Sequence, residues 1–261
     1  MAEPGFTTTE VMTVAAARML TNGMVCFVGI GMPSTASNLA RLTHAPEVVL
    51  IYESGPIGTC PPILPLSIGD GILAETADTV VSTPEIFRYW LQGGRIDVGF
   101  LGAAQIDRYA NLNSTVIGDY ASPKVRLPGA GGAPEIASQA GEVFVVINHG
   151  NRAMVDKLPF ISSVGFLDGG DARQRLGHRG KGPTAVITDL CIMRPDPQTK
   201  ELTVELIHPG ISREQIVEAT GWPIRFAGDV RETDAPTSTE LDVLRDLLAR
   251  TAEAHGAAKS S

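Results

Sequence analysis

The chain has 261 residues, 43% of them apolar and few of them aromatic. That suits one large α/β domain with a core of Val, Ile, Leu and Ala, and excludes a largely disordered chain. A formal net charge of −8, with no cluster of Lys or Arg, excludes a nucleic-acid surface, so an anionic ligand would need local arginines. Cys26, Cys60 and Cys191 match neither a metal-ligand spacing nor a disulfide framework and point to a reducing cytoplasm.

The opening residues carry Glu3, Glu10 and Arg18 without an uninterrupted apolar core, which predicts neither a signal peptide nor a membrane span. Thr7-Thr8-Thr9-Glu10 has the form of a capping box ahead of Val11, Val14, Ala15 and Met19, so a first helix is expected to end near Thr21-Asn22-Gly23. Met24 to Gly31 reads as a buried strand running into glycines, with a helix from Pro33-Ser34-Thr35. Such a turn can offer backbone N–H groups to an anion. It is not a dinucleotide fingerprint, because a third glycine in register and a ribose-binding acid are missing.

Val48 to Ile51 is an apolar run without polar alternation, the pattern of a strand covered on both faces in a parallel sheet. It stops at Glu53-Ser54-Gly55. A glutamate there is either a solvated residue opening a loop or an acid presented to a substrate at the carboxyl edge of the sheet, where ligands of open α/β sheets bind. Gly55 to Leu66 holds four prolines and is expected to be a loop over the strand ends. A helix from about Pro84 to Leu91 leads into a strand at Ile96 to Gly102, after which Gln105, Asn111, Asn113 and Ser114 bring uncharged donors that also serve to cap turns.

Pro128 to Glu135 is a glycine cluster entering a helix. Three glycines in four positions let the backbone approach a ligand closely, and phosphate binding, an oxyanion site and a tight turn all fit. The Lys-Ser/Thr of a P-loop is missing, which disfavours ATP. Further strands are expected at Val143 to Ile147, Thr184 to Ile187 and Leu190 to Met193, the last two as a hairpin or strand pair. Asp168 to Arg175 reads as a polar connection with solvated arginines. Ser212 starts a helix through Val217, Pro236 to His255 forms a terminal amphipathic helix, and Gly256 to Ser261 are expected to fray. No repeat and no polar linker divides the chain, so the expectation is one domain over 1–261, an open, mostly parallel sheet flanked by helices.

These motifs carry a resemblance. From Thr7 to about Ala254 the chain is similar to the β subunits of class I CoA-transferases, in the glutaconate CoA-transferase branch, at Glu53-Ser54-Gly55, Ser67 to Asp70, Gly102 to Asp107 and Asn113 to Tyr120. The resemblance implies a core at about 7–254, Glu53 as the residue acylated and then thioesterified to CoA, a backbone oxyanion donor within Gly129 to Gly132 with Gly131 and Gly132 foremost, and Gln105 as a side-chain donor. It also implies no cofactor, the CoA thioester being a substrate, and a separately encoded α subunit, in αβ units assembled as α2β2 or higher. Within the branch, the likeness through Val28 to Ser34, Tyr52 to Gly58, Arg88 to Ala104 and Leu127 to Glu135 implies transfer of CoA from succinyl-CoA to 3-oxoadipate in cytoplasmic degradation of aromatic compounds. Glutaconate or another dicarboxylic acid is the alternative acceptor. A non-catalytic CoA-ester binding subunit would keep the glycine turns without a nucleophile, and an acyl-CoA hydrolase would let water intercept the glutamyl intermediate; relatives that act as hydrolases or decarboxylases have lost the glutamate. Glu53 favours the transferase.

Overall fold

The computed structural model describes residues 5–258. Helix α1 (Thr8–Ala17) begins on the expected capping box, in which Thr7 Oγ1 accepts the Glu10 N–H at 3.2 Å and Glu10 Oε2 accepts the Thr7 N–H at 2.7 Å. Strand β1 (Val25–Val28), helix α2 (Met32–Leu42) and strand β2 (Val49–Ile51) form a parallel crossover unit with Cys26 opposite Leu50. Two short strands, β3 (Pro56–Ile57) and β4 (Thr79–Val80), enclose helix α3 (Gly71–Glu75). Helix α4 (Thr83–Glu85) runs directly into a π-helical turn at Ile86–Leu91, ahead of strand β5 (Val98–Gly102).

Two small ribbons follow, β6 (Gln105–Ile106) with β7 (Leu112–Asn113) and β8 (Val116–Gly118) with β9 (Pro123–Arg126). Helix α5 (Ala133–Gln139) and strand β10 (Glu142–Val146) return the chain to the main sheet. Helix α6 (Ala172–Arg175) precedes β11 (Pro183–Ile187), β12 (Cys191–Pro195) and β13 (Leu202–Ile207), and the chain closes with α7 (Arg213–Glu218), β14 (Arg225–Glu232) and α8 (Ser238–Ala258).

The main sheet has ten strands in the order β14-β13-β12-β11-β10-β5-β1-β2-β3-β4. Its central five, β11-β10-β5-β1-β2, are mutually parallel; outside them β11-β12, β12-β13, β2-β3 and β3-β4 pair antiparallel and β13-β14 parallel, so the sheet is mostly parallel and open as the sequence predicts. Both faces are covered, which is why these strands lack polar alternation. Cys26, Val28, Phe100, Phe144 and Val146 point into one apolar layer with Met12, Leu39 and Leu244 of α1, α2 and α8. Phe27, Ile51, Leu101, Val143 and Val145 point into the other, with Leu91, Ile136 and Ile216. On that second face α5 lies directly on β5: a Cβ at Gly99 would come within 2.3 Å of Ile136 Cγ2. Connections leave β1 toward β2 on one side and reach β5 on the other, so a crevice opens at the carboxyl ends of β1 and β5.

Three expectations need correction. Pro56–Ile57 is a strand between β2 and β4 rather than loop. The missing N–H of Pro56 does no harm because Tyr52 O accepts the Gly55 N–H at 3.0 Å, while Pro56 O accepts the Tyr52 N–H at 3.2 Å. Arg173 is not solvated but 4% exposed, and its guanidinium donates to Ala137 O at 2.7 Å, Arg179 O at 2.8 Å and Gly165 O at 3.2 Å. Burial lowers its pKa to about 10, so it remains cationic at neutral pH, and the carbonyls in the last turn of α5 are the negative end of that helix. Helix α8 continues through Gly256 to Ala258, and the rest of the tail expected to fray, residues 259–261, lies outside the described residues.

Beyond β10, His149 ties three elements together. Its Nδ1 lies 3.1 Å from Thr188 Oγ1 after β11, its Nε2 2.8 Å from Thr220 Oγ1 after α7, and its own N–H donates to Asp189 Oδ1 at 2.6 Å. Thr220 Oγ1 donates its proton to Ile216 O at 2.6 Å, so it accepts from Nε2–H. Burial depresses the His149 pKa to about 4 against the nearby Asp189 charge, with Cys191 and His208 as the other titratable neighbours. The unfolded chain therefore takes up this proton near pH 6.5 and the folded chain only near 4, so this contribution is complete above about pH 6.5 and lost as pH falls toward 4, amounting to at most about 3 kcal/mol. Urea midpoints should fall across that window in the wild type. In His149→Gln the slope should flatten, apart from the part due to His208, whose pKa is also lowered by burial.

Candidate active site

Strand β2 is followed directly by Tyr52, a fully buried residue whose Oη lies 2.9 Å from Ser34 Oγ on α2. Burial pushes its phenol up to about 12, so it stays protonated and serves as a fixed post. Glu53 follows at the carboxyl edge of the sheet, and its side chain turns toward the glycine cluster. There Gly132 donates its N–H to Glu53 Oε2 at 3.1 Å. Gly132 is the residue before α5, so this amide is one of those that a helix leaves without an internal acceptor, at the end where partial positive charge collects. A Cβ at Gly132 would stand 2.5 Å from Glu53 Oε2 and 2.5 Å from Phe87 Cζ, and one at Gly131, where φ is +50°, would stand 3.4 Å from Glu53 Oε1. The close approach that the cluster predicts is thus made to a side chain of the same chain.

Other sequence candidates fall elsewhere. Gly129 has a left-handed φ of +104°, but its N–H is taken by Ser114 O at 2.9 Å, so it shapes the turn without offering a donor. Gln105 is buried, accepts from Asn113 Nδ2 at 2.9 Å and donates to Arg152 O at 3.2 Å, and so holds β6 against β7 away from Glu53. The Gly29 N–H donates to Phe100 O at 3.0 Å within the sheet and is not open to an anion.

Two cavities meet at Glu53. One, of about 740 Å³, lies against the π-helical turn and is lined by Thr83, Phe87, Arg88, Gln92 and Glu135 as well as Glu53 and Gly132. The other, of about 770 Å³, fills the crevice over the ends of β1 and β5 between Phe27, Val28, Leu101, Ala103 and Ile136, with Glu53 its one ionisable residue. Each has the size of a small-molecule site. Glu53, Ile68 and Gly131 belong to both walls, so one carboxylate can be reached from two chambers. Phe87, Arg88 and Ile68 line the site without being named as site residues by the sequence, although Ile68 and Arg88 fall in stretches that carry the resemblance. Ile86 to Leu91 has the apolar spacing of an ordinary helix, and the one local hint of the π turn is Gly93, where a Cβ would meet Tyr89 O at 2.1 Å.

Comparison with known proteins gives this geometry a family. The chain is 68% identical to one of the subunits of the 3-oxoadipate CoA-transferase of Pseudomonas knackmussii, over 96% of each chain. It is 34% identical to one of the subunits of the glutaconate CoA-transferase of Acidaminococcus fermentans, over 93% of this chain and 92% of that protein. The crystal structure of the Acidaminococcus fermentans glutaconate coenzyme A-transferase superposes with a TM-score of 0.86 at 32% identity, covering 92% of this chain and 94% of that one. Both relatives bear the names of parts of multi-subunit transferases. Residues 9–219 match the Coenzyme A transferase family, and with that match and these relatives the chain belongs to it.

Proposed function

We propose that this chain is the nucleophile-bearing subunit of an enzyme that moves CoA from succinyl-CoA to 3-oxoadipate, in the degradation of aromatic compounds, with Glu53 as the covalent residue. The observation that carries the reading is the Glu53 carboxylate, standing between two cavities with Oε2 on the Gly132 N–H. The substrate assignment rests on the 68% identity to part of an enzyme named for that activity.

The chemistry runs through acyl exchange on one carboxylate. Glu53 attacks the succinyl thioester carbonyl, the C–S bond breaks, and CoA thiolate leaves a mixed glutamyl–succinyl anhydride. The thiolate then adds to the glutamyl carbonyl and succinate departs, giving glutamyl-CoA. The carboxylate of 3-oxoadipate attacks that thioester, releasing the thiolate and forming a second anhydride, and attack on its oxoadipyl carbonyl yields 3-oxoadipyl-CoA and free Glu53. No net proton is consumed and the bonds exchanged are of like kind, so the scheme calls for no metal or prosthetic group. Whenever the thiolate or the acceptor adds to the glutamyl carbonyl, negative charge grows on a glutamyl oxygen. The Gly132 N–H already points at such an oxygen at rest, so it stabilises that charge without reorganising.

Both cavities are open on this chain, which supports a second polypeptide completing the site, as the names of the relatives suggest for those enzymes. The purified chain alone should therefore fail to turn over. Mixed with its cognate α subunit it should assemble as a symmetric multiple of αβ units, with a higher specificity constant for succinyl-CoA and 3-oxoadipate than for glutaconate or for acetyl-CoA with short monoacids. Sustained release of free CoA without an acceptor acid would instead identify a hydrolase.

In that complex Glu53→Gln should fold and assemble normally yet lose transfer by several orders of magnitude. Glu53→Asp, which withdraws the charge by one methylene, should lose about 100-fold or more. With succinyl-CoA alone, hydroxylamine should inactivate the wild type and leave a hydroxamate that peptide mass mapping places on Glu53. An adduct on another residue would overturn the assignment.

A further inference from the structure

The wall of the first cavity holds a group that the reaction scheme leaves unused. Ser82 and Glu85 cap the start of α4, with Glu85 Oε2 accepting the Ser82 N–H at 2.8 Å, and the backbone then loosens into i to i+5 bonds, Gln92 N–H to Phe87 O and Arg95 N–H to Trp90 O, each 2.9 Å. Such turns are rare and concentrate at functional sites. This one brings Pro84, Phe87, Arg88 and Gln92 to the cavity together.

Arg88 is the one basic side chain on either cavity wall. No hydrogen bond, ion pair or ring contact engages its guanidinium among the described residues, although two carboxylates share its cavity. Those two are otherwise held, Glu53 on the Gly132 N–H and Glu135 by Gln92 Nε2 at 2.5 Å. A planar guanidinium left open beside a nucleophile presents a fork that fits an incoming carboxylate or phosphate in two-point fashion. The other cavity offers no cation and is walled largely by apolar groups.

From this juxtaposition we infer that Arg88 binds the distal carboxylate of the acyl group, and so selects dicarboxylic over monocarboxylic substrates. The inference rests on the transferase reading above, in which donor and acceptor are both diacids: one carboxyl carbon of each reacts at Glu53, and the other end carries a charge that needs a partner. Phosphates of CoA are the competing source of the same anion chemistry, and the test separates the two.

The αβ complex is prepared with wild-type, Arg88→Met and Arg88→Lys chains, and the KM for succinyl-CoA is measured together with inhibition constants for free succinate and free CoA. In Arg88→Met the succinyl-CoA KM and the succinate inhibition constant should rise about 10- to 100-fold, the range of a lost charge-assisted contact, with the CoA inhibition constant unchanged. Lysine should restore part of the loss, since it keeps the charge without the fork. A matching rise in the CoA constant would assign Arg88 to phosphate, unchanged constants would leave it without a ligand role, and failure of the variant to assemble would make it a contact between subunits; each overturns the inference. Wild-type complex that shows no transfer and no hydroxamate on Glu53 would instead sink the transferase reading itself.

Discussion

The 3.1 Å contact between the Gly132 amide and the Glu53 carboxylate is the constraint on which the rest of this structure depends. It needs a strand that ends beside a helix start, a backbone with no side chain at the point of approach, and a carboxylate that does not swing into solvent. The first comes from β2 and α5 meeting at the same edge of the sheet. Gly132 satisfies the second, since any Cβ there would overlap both the carboxylate and Phe87. The buried Tyr52 meets the third: its hydroxyl is pinned to Ser34, so the backbone just before Glu53 cannot drift.

A parallel sheet with both faces covered has few places where polar chemistry can be put. Its core layers are built mainly of apolar side chains, and the carboxyl ends of the strands are where loops diverge at the switch between β1 and β5. The architecture thereby produces a crevice, and the turn after β2 places an acid on its rim. A carboxylate shared by two chambers suits a reaction in which one acid must leave and another arrive while CoA remains attached.

Much of this is legible in the sequence, for reasons of range. Val48 to Ile51 and Val143 to Ile147 report their burial residue by residue, and Thr7 with Glu10 or Ser212 with Gln215 report helix starts through contacts three residues apart. The glycine cluster announces a close approach although not to what. Illegible features depend on partners distant in the chain. Arg173 resembles any arginine in a polar loop until the end of α5, more than thirty residues earlier, is brought against it. Gln105 has the right chemistry for an oxyanion donor, and only the folded structure shows its Oε1 accepting from Asn113 and its Nε2 donating to Arg152 O, forty-seven residues on. The π turn leaves no trace in hydrophobic spacing because its extra residue is absorbed inside a helix of normal composition. Strands β13 and β14 also escape the sequence reading, since the partly buried residues of β13 and the mostly exposed ones of β14 give a weaker pattern than the central strands.

The packing of α5 on β5 carries a further consequence. Gly99 lies in the middle of a strand, touches no substrate cavity, and is hydrogen-bonded on both sides within the sheet. Yet Ile136 of α5 rests where its side chain would be, so the missing methyl fixes how far the helix stands above the strands. Because the Gly132 amide rides on the first turn of that helix, and Arg173 grips its last turn from the other end, the helix acts as a spacer of set thickness between the sheet and the Glu53 carboxylate. A hydrogen bond loses its strength over a few tenths of an ångström, less than the displacement one added carbon would impose. The reach of the Gly132 amide to Glu53 is gauged, in effect, by an atom that is not there, one layer beneath the site.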